Sequence, residues 1–513
     1  MRNHLHDLMT GPHFAMDHAV LRFADGSAWT RRHLFDRAAR YAAVLQSLGL
    51  QAGDRICLQV EKSVEAVALT LGAIQAGVIF NPLNTAYTTA EISYFIGDAE
   101  PKLLVCDPSK RDALIIAAEK AGVTHVETIG ADGRGTLPTR ADQTEPLQEA
   151  VARSADDIAA ILYTSGTTGR SKGAMLSHDN LASNALTLKE AWQFTDQDVL
   201  LHALPIYHTH GLFVAINTLL LCGGSMIFLP KFDPDQILAL MPQATCLMGV
   251  PTFYTRLLQH AGLTKQATQH MRLFISGSAP LLADTHREWH ARTGHAILER
   301  YGMTETNMNT SNPYAGERIA GTVGFPLPGV AVRVADPDTG NLLPTDTIGM
   351  LEVKGPNVFK GYWRMPEKTA AEFRPDGFFI TGDLGKIDPR GYVHIVGRGK
   401  DLIISGGFNV YPKEVETEID SLPGVIESAV VGVPHPDFGE GVVGVVVCAQ
   451  DAALDEARIL SHLSQTLAKF KQPKHIFIVE DLPRNTMGKV QKNLLRDTSV
   501  SYTHLRAHET LRY

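Results

Sequence analysis

The sequence predicts an α/β protein. A large N-terminal domain is built of two parallel-type α/β subdomains plus a small β-barrel-like subdomain, and a small α+β C-terminal domain follows. Three observations predict this. Short apolar runs alternate with longer amphipathic segments over most of the chain, the pattern of parallel sheets covered on both faces. After about Gly321 the pattern gives way to short strands broken by Gly and Pro. The length of 513 residues corresponds to two to four domains at a prior of about 150 residues each.

Taken in order, residues 55–60, 102–106, 158–163, 225–229, 245–249 and 273–276 read as buried strands, alternating with amphipathic helices such as 30–48, before the first of them, and 63–76, after it. Residues 211–229 carry no formal charge and approach membrane-span length. Asn217, Thr218 and the pair Gly223–Gly224 interrupt them, so they read as a buried helix, a turn and a buried strand. Beyond Gly321, VAVRVAD, GMLEVKG and GYVHIVG read as strands of a small barrel or antiparallel sheet. A last unit of about a hundred residues alternates helix 412–421, strands 426–433 and 442–449, helix 456–467 and strand 475–479. The domains expected are 1–399 and 400–498. Residues 499–513 (SVSYTHLRAHETLRY) lack a sustained apolar face and resemble appended material.

Composition narrows function. Hydrophobic residues at 44% and charged residues at 20% are globular values, and the net charge of −8 argues against a nucleic-acid surface. The five cysteines are scattered, with no CxxC pair, so neither a disulfide framework nor a cysteine zinc site is indicated, and a reducing compartment fits best. No secretory signal is visible at the N-terminus, and a cytoplasmic, membrane-free protein is expected.

The strongest local signal is YTSGTTGRSKGAM, residues 163–175. It follows an apolar strand and precedes a helical pattern. Thr164, Ser165, Gly166, Thr167, Thr168, Gly169, Ser171 and Lys172 supply backbone N–H groups, hydroxyls and a cation, the groups that wrap a polyphosphate. A Walker loop needs Gly before the lysine and Ser or Thr after it. Here Ser171 precedes and Gly173 follows, so a P-loop NTPase is disfavoured.

This loop resembles the phosphate loop of the acyl-adenylate-forming enzymes, which include acyl-CoA synthetases, peptide-synthetase adenylation domains and firefly luciferase. ALPIYHTHG (203–211), SGSAP (276–280), ERYGMTE (299–305), TGD (381–383), GRGKDLIISGGFNVYPKEVE (397–416) and PRNTMGK (483–489) follow in the family's order. The likeness reaches about Arg496, and it implies site roles. ATP or AMP would be bound by the loop with Ser278, Ala279, Glu299, Arg300, Tyr301, Gly302, Thr304, Asp383 and Arg398. Asp383, assisted by Arg398, would hold the ribose hydroxyls. Thr304 would meet the α-phosphate and Glu305 a Mg²⁺ ion, a cation that suits one carboxylate plus phosphate oxygens and waters. Lys489 would enter during adenylation, Lys400 would be the hinge of a mobile C-terminal domain, and Gly406 and Gly407 would border the CoA channel. Lys172 and His208 complete the catalytic set. Without the resemblance, Asp383 reads as a turn former, the Thr304–Glu305 pair as a helix cap and Lys489 as a solvated lysine.

The acid would be lined by His208, Thr209, Arg256, Ser276, Met303 and Met308. A guanidinium is costly to bury without an anion and pairs with a carboxylate in a two-pronged geometry, so Arg256 points to a dicarboxylic acid. Within the family the chain is most similar to members that activate malonate, sharing Thr209, Arg256 and ERYGMTETNMN. The alternatives are a ligase of a medium-chain or aromatic acid, with Arg256 facing solvent, and a non-catalytic nucleotide-binding protein on the same fold. His208 and His210 alone are weak evidence for zinc.

Overall fold

The computed structural model describes residues 2–11, 14–164, 171–405, 408–435, 439–452, 454–485 and 488–499. The chain divides into two compact units. One comprises Met1–Val332 and Val353–Phe379; the other comprises Arg333–Glu352 and the chain from Ile380 onward. The expected boundary at Lys400 falls inside the second unit.

The first unit carries two large sheets. In the six-stranded sheet, strands Arg55–Gln59, Ile79–Pro82, Leu103–Cys106 and His125–Thr128 pair in parallel. This sheet ends in a hairpin of β1 (Ile158–Thr164) and β2 (Lys172–Ser177), which runs directly into α1 (His178–Ala191). Ser177 caps that helix, accepting from the Asn180 N–H while the Asn180 side chain answers its backbone, a reciprocal cap that fixes where strand becomes helix. In the nine-stranded sheet, β3 (Val199–His202), β4 (Cys246–Gly249), β5 (Leu273–Ser276) and β6 (Leu298–Met303) are successive parallel neighbours, and β7 (Asn307–Ser311) turns back antiparallel on β6. α2 (Pro251–Gln259) starts on Pro251, whose missing N–H suits a first turn. Leu200, Leu201, Leu247, Phe274 and Ile275 are almost wholly buried between the covering helices, as near-continuous apolar runs in parallel strands require.

The charge-free stretch 211–229 is a π-helix His210–Asn217, a helix Thr218–Cys222 ended by Gly223 in the left-handed conformation (φ 82°), and strand Ser225–Phe228. Among the described residues no helix is long and apolar enough to cross a membrane.

Most of the second unit's first layer is a four-stranded sheet of Ala331–Ala335, Gly349–Lys354, β8 (Phe379–Ile387) and β9 (Val393–Arg398), the last two antiparallel. The small β subdomain expected in the N-terminal domain is this four-stranded sheet, and most of it groups with the second unit instead. It is followed by helix Pro412–Asp420, strands Val425–His435 and Gly439–Cys448, helix Glu456–Thr466 and strand His475–Val479. Their core gathers Val415, Ile419, Val430, Val442, Val446, Ile459, Leu463 and Ile476. An α/β fold with a large N-terminal part and a smaller α+β C-terminal part is what the residue pattern predicts. Apart from Ser499, the segment 499–513 lies outside the described residues.

Candidate active site

The residues flanking the candidate phosphate loop are held by a sheet rather than by a helix N-terminus. Thr164 pairs with Lys172 and Tyr163 with Gly173 across the β1–β2 hairpin. The strand–loop–helix context expected from the sequence is thus corrected, because the short strand Lys172–Ser177 intervenes before α1. Thr164 is described; Ser165, Gly166, Thr167, Thr168 and Gly169 lie outside the described residues. The far edge of the loop is tied down by the Tyr94 hydroxyl, which donates to the Ser171 carbonyl at 2.7 Å.

Lys172 rests on partners that the sequence reading missed. Its Nζ lies 3.1 Å from Glu372 Oε1 and 4.0 Å from the centre of the Tyr362 ring. Glu372 also accepts from Lys368 at 2.8 Å and from the Tyr362 hydroxyl at 2.6 Å. The same hydroxyl lies 3.0 Å from Glu305 Oε1. A phenol has one proton to donate, so the two carboxylates share it. Burial first, and then Glu305, push the Tyr362 hydroxyl's titration up. Burial alone would raise Glu372, but its lysine and tyrosine donors hold it below the ordinary carboxylate range. Apart from the Lys368–Glu372 pair, four residues apart, these contacts span 10 to 200 residues of sequence, and no local pattern announces them.

Thr304 and Glu305 occupy the turn between β6 and β7. That is a correction to the helix-cap alternative: the run ERYGMTETNMNTS forms an antiparallel strand pair. The pairing slips between Tyr301 and Gly302. A Cβ on Gly302 would fall 1.8 Å from the Asn307 carbonyl oxygen, so only glycine permits this crossing. Glu305 is 5% exposed. It is a hard oxygen donor, and among the described residues no group of three His, Cys, Asp or Glu is placed to hold a metal. That donor set fits Mg²⁺ held by one protein carboxylate and otherwise by phosphate and water, and it does not fit a zinc site.

Of the acid-pocket candidates, His208 and Thr209 follow β3, Ser276 and Met303 end β5 and β6, Met308 is on β7 and Arg256 on α2; the C-terminal ends of parallel strands are where ligands sit in open sheets. His210 is fully buried, and its Nδ1 lies 3.2 Å from Ser278 Oγ. Ser278 adopts φ 72°, a conformation rare for a non-glycine residue and characteristic of constrained loops. Burial, then the charge of Arg300, hold the His210 imidazole far below its usual range, so it is neutral. Its Nε2, Thr209 Oγ1 and Ser276 Oγ are buried without a hydrogen-bond partner among the described residues. Met308 is 2% exposed, with its Cε crowded against Gly302; His208 and Met303 are half-buried, and His208 Nδ1 accepts from the His210 N–H at 3.4 Å. Arg256 is exposed in the last turn of α2, whereas the sequence reading expected a buried guanidinium. The guanidinium in the interior belongs to Arg300, which the resemblance had assigned to the nucleotide. Glu299, its neighbour on β6, accepts from the Leu281 N–H at 3.2 Å, securing the chain after Ser278–Ala279.

In the second unit, Arg398 Nε lies 2.8 Å from Asp383 Oδ1, because β8 and β9 pair Asp383 directly with Arg398. Asp383 is 4% exposed, and its N–H donates to Thr381 Oγ1 at 3.0 Å. Lys400 stands in a short 3₁₀ turn, Gly399–Asp401, and burial, the largest influence, lowers its titration. Lys489 is exposed and closes a loop in which its N–H donates to Asn485 Oδ1 at 2.9 Å. Gly406 and Gly407 lie outside the described residues.

With this geometry established, residues 12–363 match the AMP-binding enzyme family and residues 414–489 match the AMP-binding enzyme C-terminal domain. The chain belongs to this family of adenylate-forming enzymes. It is 65% identical to the ATP-bound MatB of Rhodopseudomonas palustris, with a TM-score of 0.96, covering 98% of this chain and 99% of that one. It is 35% identical over 485 residues to the malonate–CoA ligase of Arabidopsis thaliana, 88% of this chain and 79% of the relative. A benzoate CoA ligase from Burkholderia xenovorans LB400 shares the fold at 27% identity and a TM-score of 0.87, covering 97% of this chain and all of that one.

Proposed function

We propose that the chain is an ATP-dependent acid–thiol ligase that activates malonate, with methylmalonate as the natural extension. It forms the acyl-adenylate and passes the acyl group to CoA, releasing pyrophosphate and AMP. Family likeness alone leaves the acid open, since relatives at similar identity include feruloyl-CoA synthases as well as malonate ligases. The observation that carries the diacid is a buried polar interior: Thr209 Oγ1, Ser276 Oγ and His210 Nε2 are unpartnered among the described residues, and Met308 is itself buried. Such an interior suits a short acid with polar groups at both ends and offers little apolar depth for a long chain.

In the first step a carboxylate oxygen of the acid attacks the α-phosphorus of ATP, and the bond to the bridging oxygen of pyrophosphate breaks. Lys172 neutralises charge on the leaving phosphates, Thr304 donates to the α-phosphate, and Asp383 with Arg398 fixes the ribose. Glu305 would hold Mg²⁺, which when bound supplies further charge neutralisation on the phosphates. Lys489 stabilises the charge that accumulates as the new bond forms. The C-terminal domain, residues 400–498, then turns about Lys400 and withdraws Lys489. The thiol passes along Gly406 and Gly407, sulfur attacks the acyl carbon, the thiol proton is released, and AMP departs with the electrons of the anhydride bond. Motions of this kind often limit turnover. The five cysteines are free, which suits a cytoplasmic setting; small molecules are its proposed partners.

The test is pyrophosphate release with a panel of acids, with and without CoA. Malonate is expected to lead the panel. Equal turnover of malonate and octanoate would remove the diacid, and no release with any acid would favour a nucleotide-binding protein without catalysis.

A further inference from the structure

Lys62 follows strand Arg55–Gln59 and stands just before Ser63, the cap of helix Val64–Ala76. Its side chain leaves that turn of the six-stranded sheet and ends on the nine-stranded sheet, at the last residue of β3. Nζ lies 2.6 Å from His202 Nδ1 and donates to the His202 carbonyl at 2.8 Å. It also sits 4.4 Å from the centre of the Phe228 ring, on which the imidazole is stacked at 5.6 Å. Lys62 is 9% exposed and His202 1%. Among the described residues no carboxylate pairs with Lys62, and burial holds its titration well below the usual lysine range. An enclosed amine without a counter-ion is costly, so the contacts it makes have that cost to offset.

The other edge of the imidazole faces the π-helix His210–Asn217. His202 Nε2 lies 2.8 Å from the Gly211 carbonyl oxygen. A carbonyl only accepts, so Nε2 bears the proton, and Nδ1 is the acceptor that meets the lysine. Both partners select the same tautomer. The Nε2 bond closes the excursion from the end of β3 to the π-helix, and residues 203–210 inside it include His208, Thr209 and His210. The closure is tight: a Cβ on Gly211 would fall 2.0 Å from the Pro205 carbonyl oxygen. π-Helical turns are rare and gather at functional sites; a side chain bonded to the first turn fixes where this one begins. We propose that Lys62 and His202 are positioning residues for the acid, Lys62 orienting the imidazole and His202 holding the 203–211 segment so that Thr209 and His210 keep their places. This rests on the ligase reading above and names a pair outside the site that holds part of it in register.

The experiment compares Lys62→Met, His202→Phe, His202→Gln and the double variant Lys62→Met/His202→Phe with the unaltered chain. Pyrophosphate release is measured against malonate and ATP, with melting temperatures alongside. Lys62→Met and His202→Phe are each expected to lower kcat/KM for malonate by about 10- to 100-fold, the scale of a small misplacement of substrate-binding groups, while the KM for ATP stays within a few-fold. The two residues act in series, so the double variant should be no worse than His202→Phe by more than about threefold. Gln can donate to the Gly211 carbonyl and accept from Lys62, so His202→Gln should recover most of what His202→Phe loses. In nitrogen-15 imidazole spectra, the signal that His202→Gln removes should be that of an Nε2–H tautomer at neutral pH. Malonate kinetics unchanged in Lys62→Met overturn the proposal. So do additive losses in the double variant, a matching rise in the KM for ATP, an Nδ1–H tautomer, or a His202→Gln variant as impaired as His202→Phe. If the unaltered chain releases no pyrophosphate with any acid, the ligase reading fails and this role with it; if it is active on malonate and Lys62→Met matches it, the positioning role alone fails.

Discussion

Removing the carboxylate of Asp383 should erase the protein's ability to recognise ribose. Asp383 is 4% exposed and held by Arg398 Nε at 2.8 Å, so in its proposed role it would meet the ribose as a fixed acceptor. Hydrogen bonds to charged groups contribute about 1.5–3 kcal/mol each; two ribose hydroxyls therefore amount to about 3–6 kcal/mol, or about 10²- to 10⁴-fold in kcat/KM for ATP. Asp383→Ala should lose that factor. The Arg398 side chain is 39% exposed, so water can replace its lost partner and the cost in stability stays small. The assay is acid-dependent pyrophosphate exchange with ATP and with 2′,3′-dideoxy-ATP. The unaltered chain should prefer ATP by the full factor, and Asp383→Ala should treat the two nucleotides alike within about tenfold. A variant that still discriminates as strongly as the parent would refute the assignment, because the contact would then lie elsewhere.

Two further outcomes follow from the same geometry. Lys489→Ala should slow adenylate formation by about 10²- to 10³-fold, the scale of a lost charge-stabilising donor, yet spare thioester formation from supplied acyl-adenylate; equal losses in both half-reactions would contradict its role. Stability should also fall on acidification. Burial, and then Lys62, lower His202 to about 3, and burial, then Arg153, lowers His178 to about 4. Both are neutral when folded, so below about pH 6.5 the unfolded chain binds more protons. The loss begins at that pH, grows down to the folded values, and for His202, 1% exposed, amounts to about 2 kcal/mol at pH 5. A melting temperature that stays level between pH 7.5 and 5 would count against it.

Periodicity and punctuation made the framework legible. Strand Leu273–Ser276 matches the expected range, and helix Val64–Ala76 starts one residue inside the expected 63–76, with Ser63 as its N-cap. The departures have physical causes. Lys172–Ser177 reads as loop because Gly173 and Ser177 weaken a strand pattern, and its partner strand supplies the pairing that overrides them. The polar run Asn307–Ser311 resembles a turn, yet it is buried because side chains distant in sequence bond to it: Asn184 Nδ2 donates to the Met308 carbonyl at 2.9 Å and Asn357 Nδ2 to Asn309 Oδ1 at 3.1 Å. For the site, residue types and order were readable but exposure was not. Phe253, Tyr254, Leu257 and Leu258 form the buried face of α2, and Arg256 falls outside it. Arg300 follows a glutamate and precedes a tyrosine, a context that gives no sign of a wholly enclosed cation. Glu372 and Tyr362 were invisible because their meaning lies in Lys172, far away along the chain.

In the proposed role of Lys172 as the cation for the triphosphate, its resting place alters the thermodynamics of nucleotide arrival. A free lysine gives up about 2 kcal/mol of rotamer freedom when it is immobilised. Here the ammonium already lies over the Tyr362 ring and is tethered to Glu372, so much of that ordering happens during folding. What an incoming triphosphate must do instead is win the cation from a carboxylate. Nucleotide capture at this corner thus becomes an exchange of one anion for another, with less disorder to overcome than at a loose surface lysine and a steeper dependence on the charge the nucleotide carries.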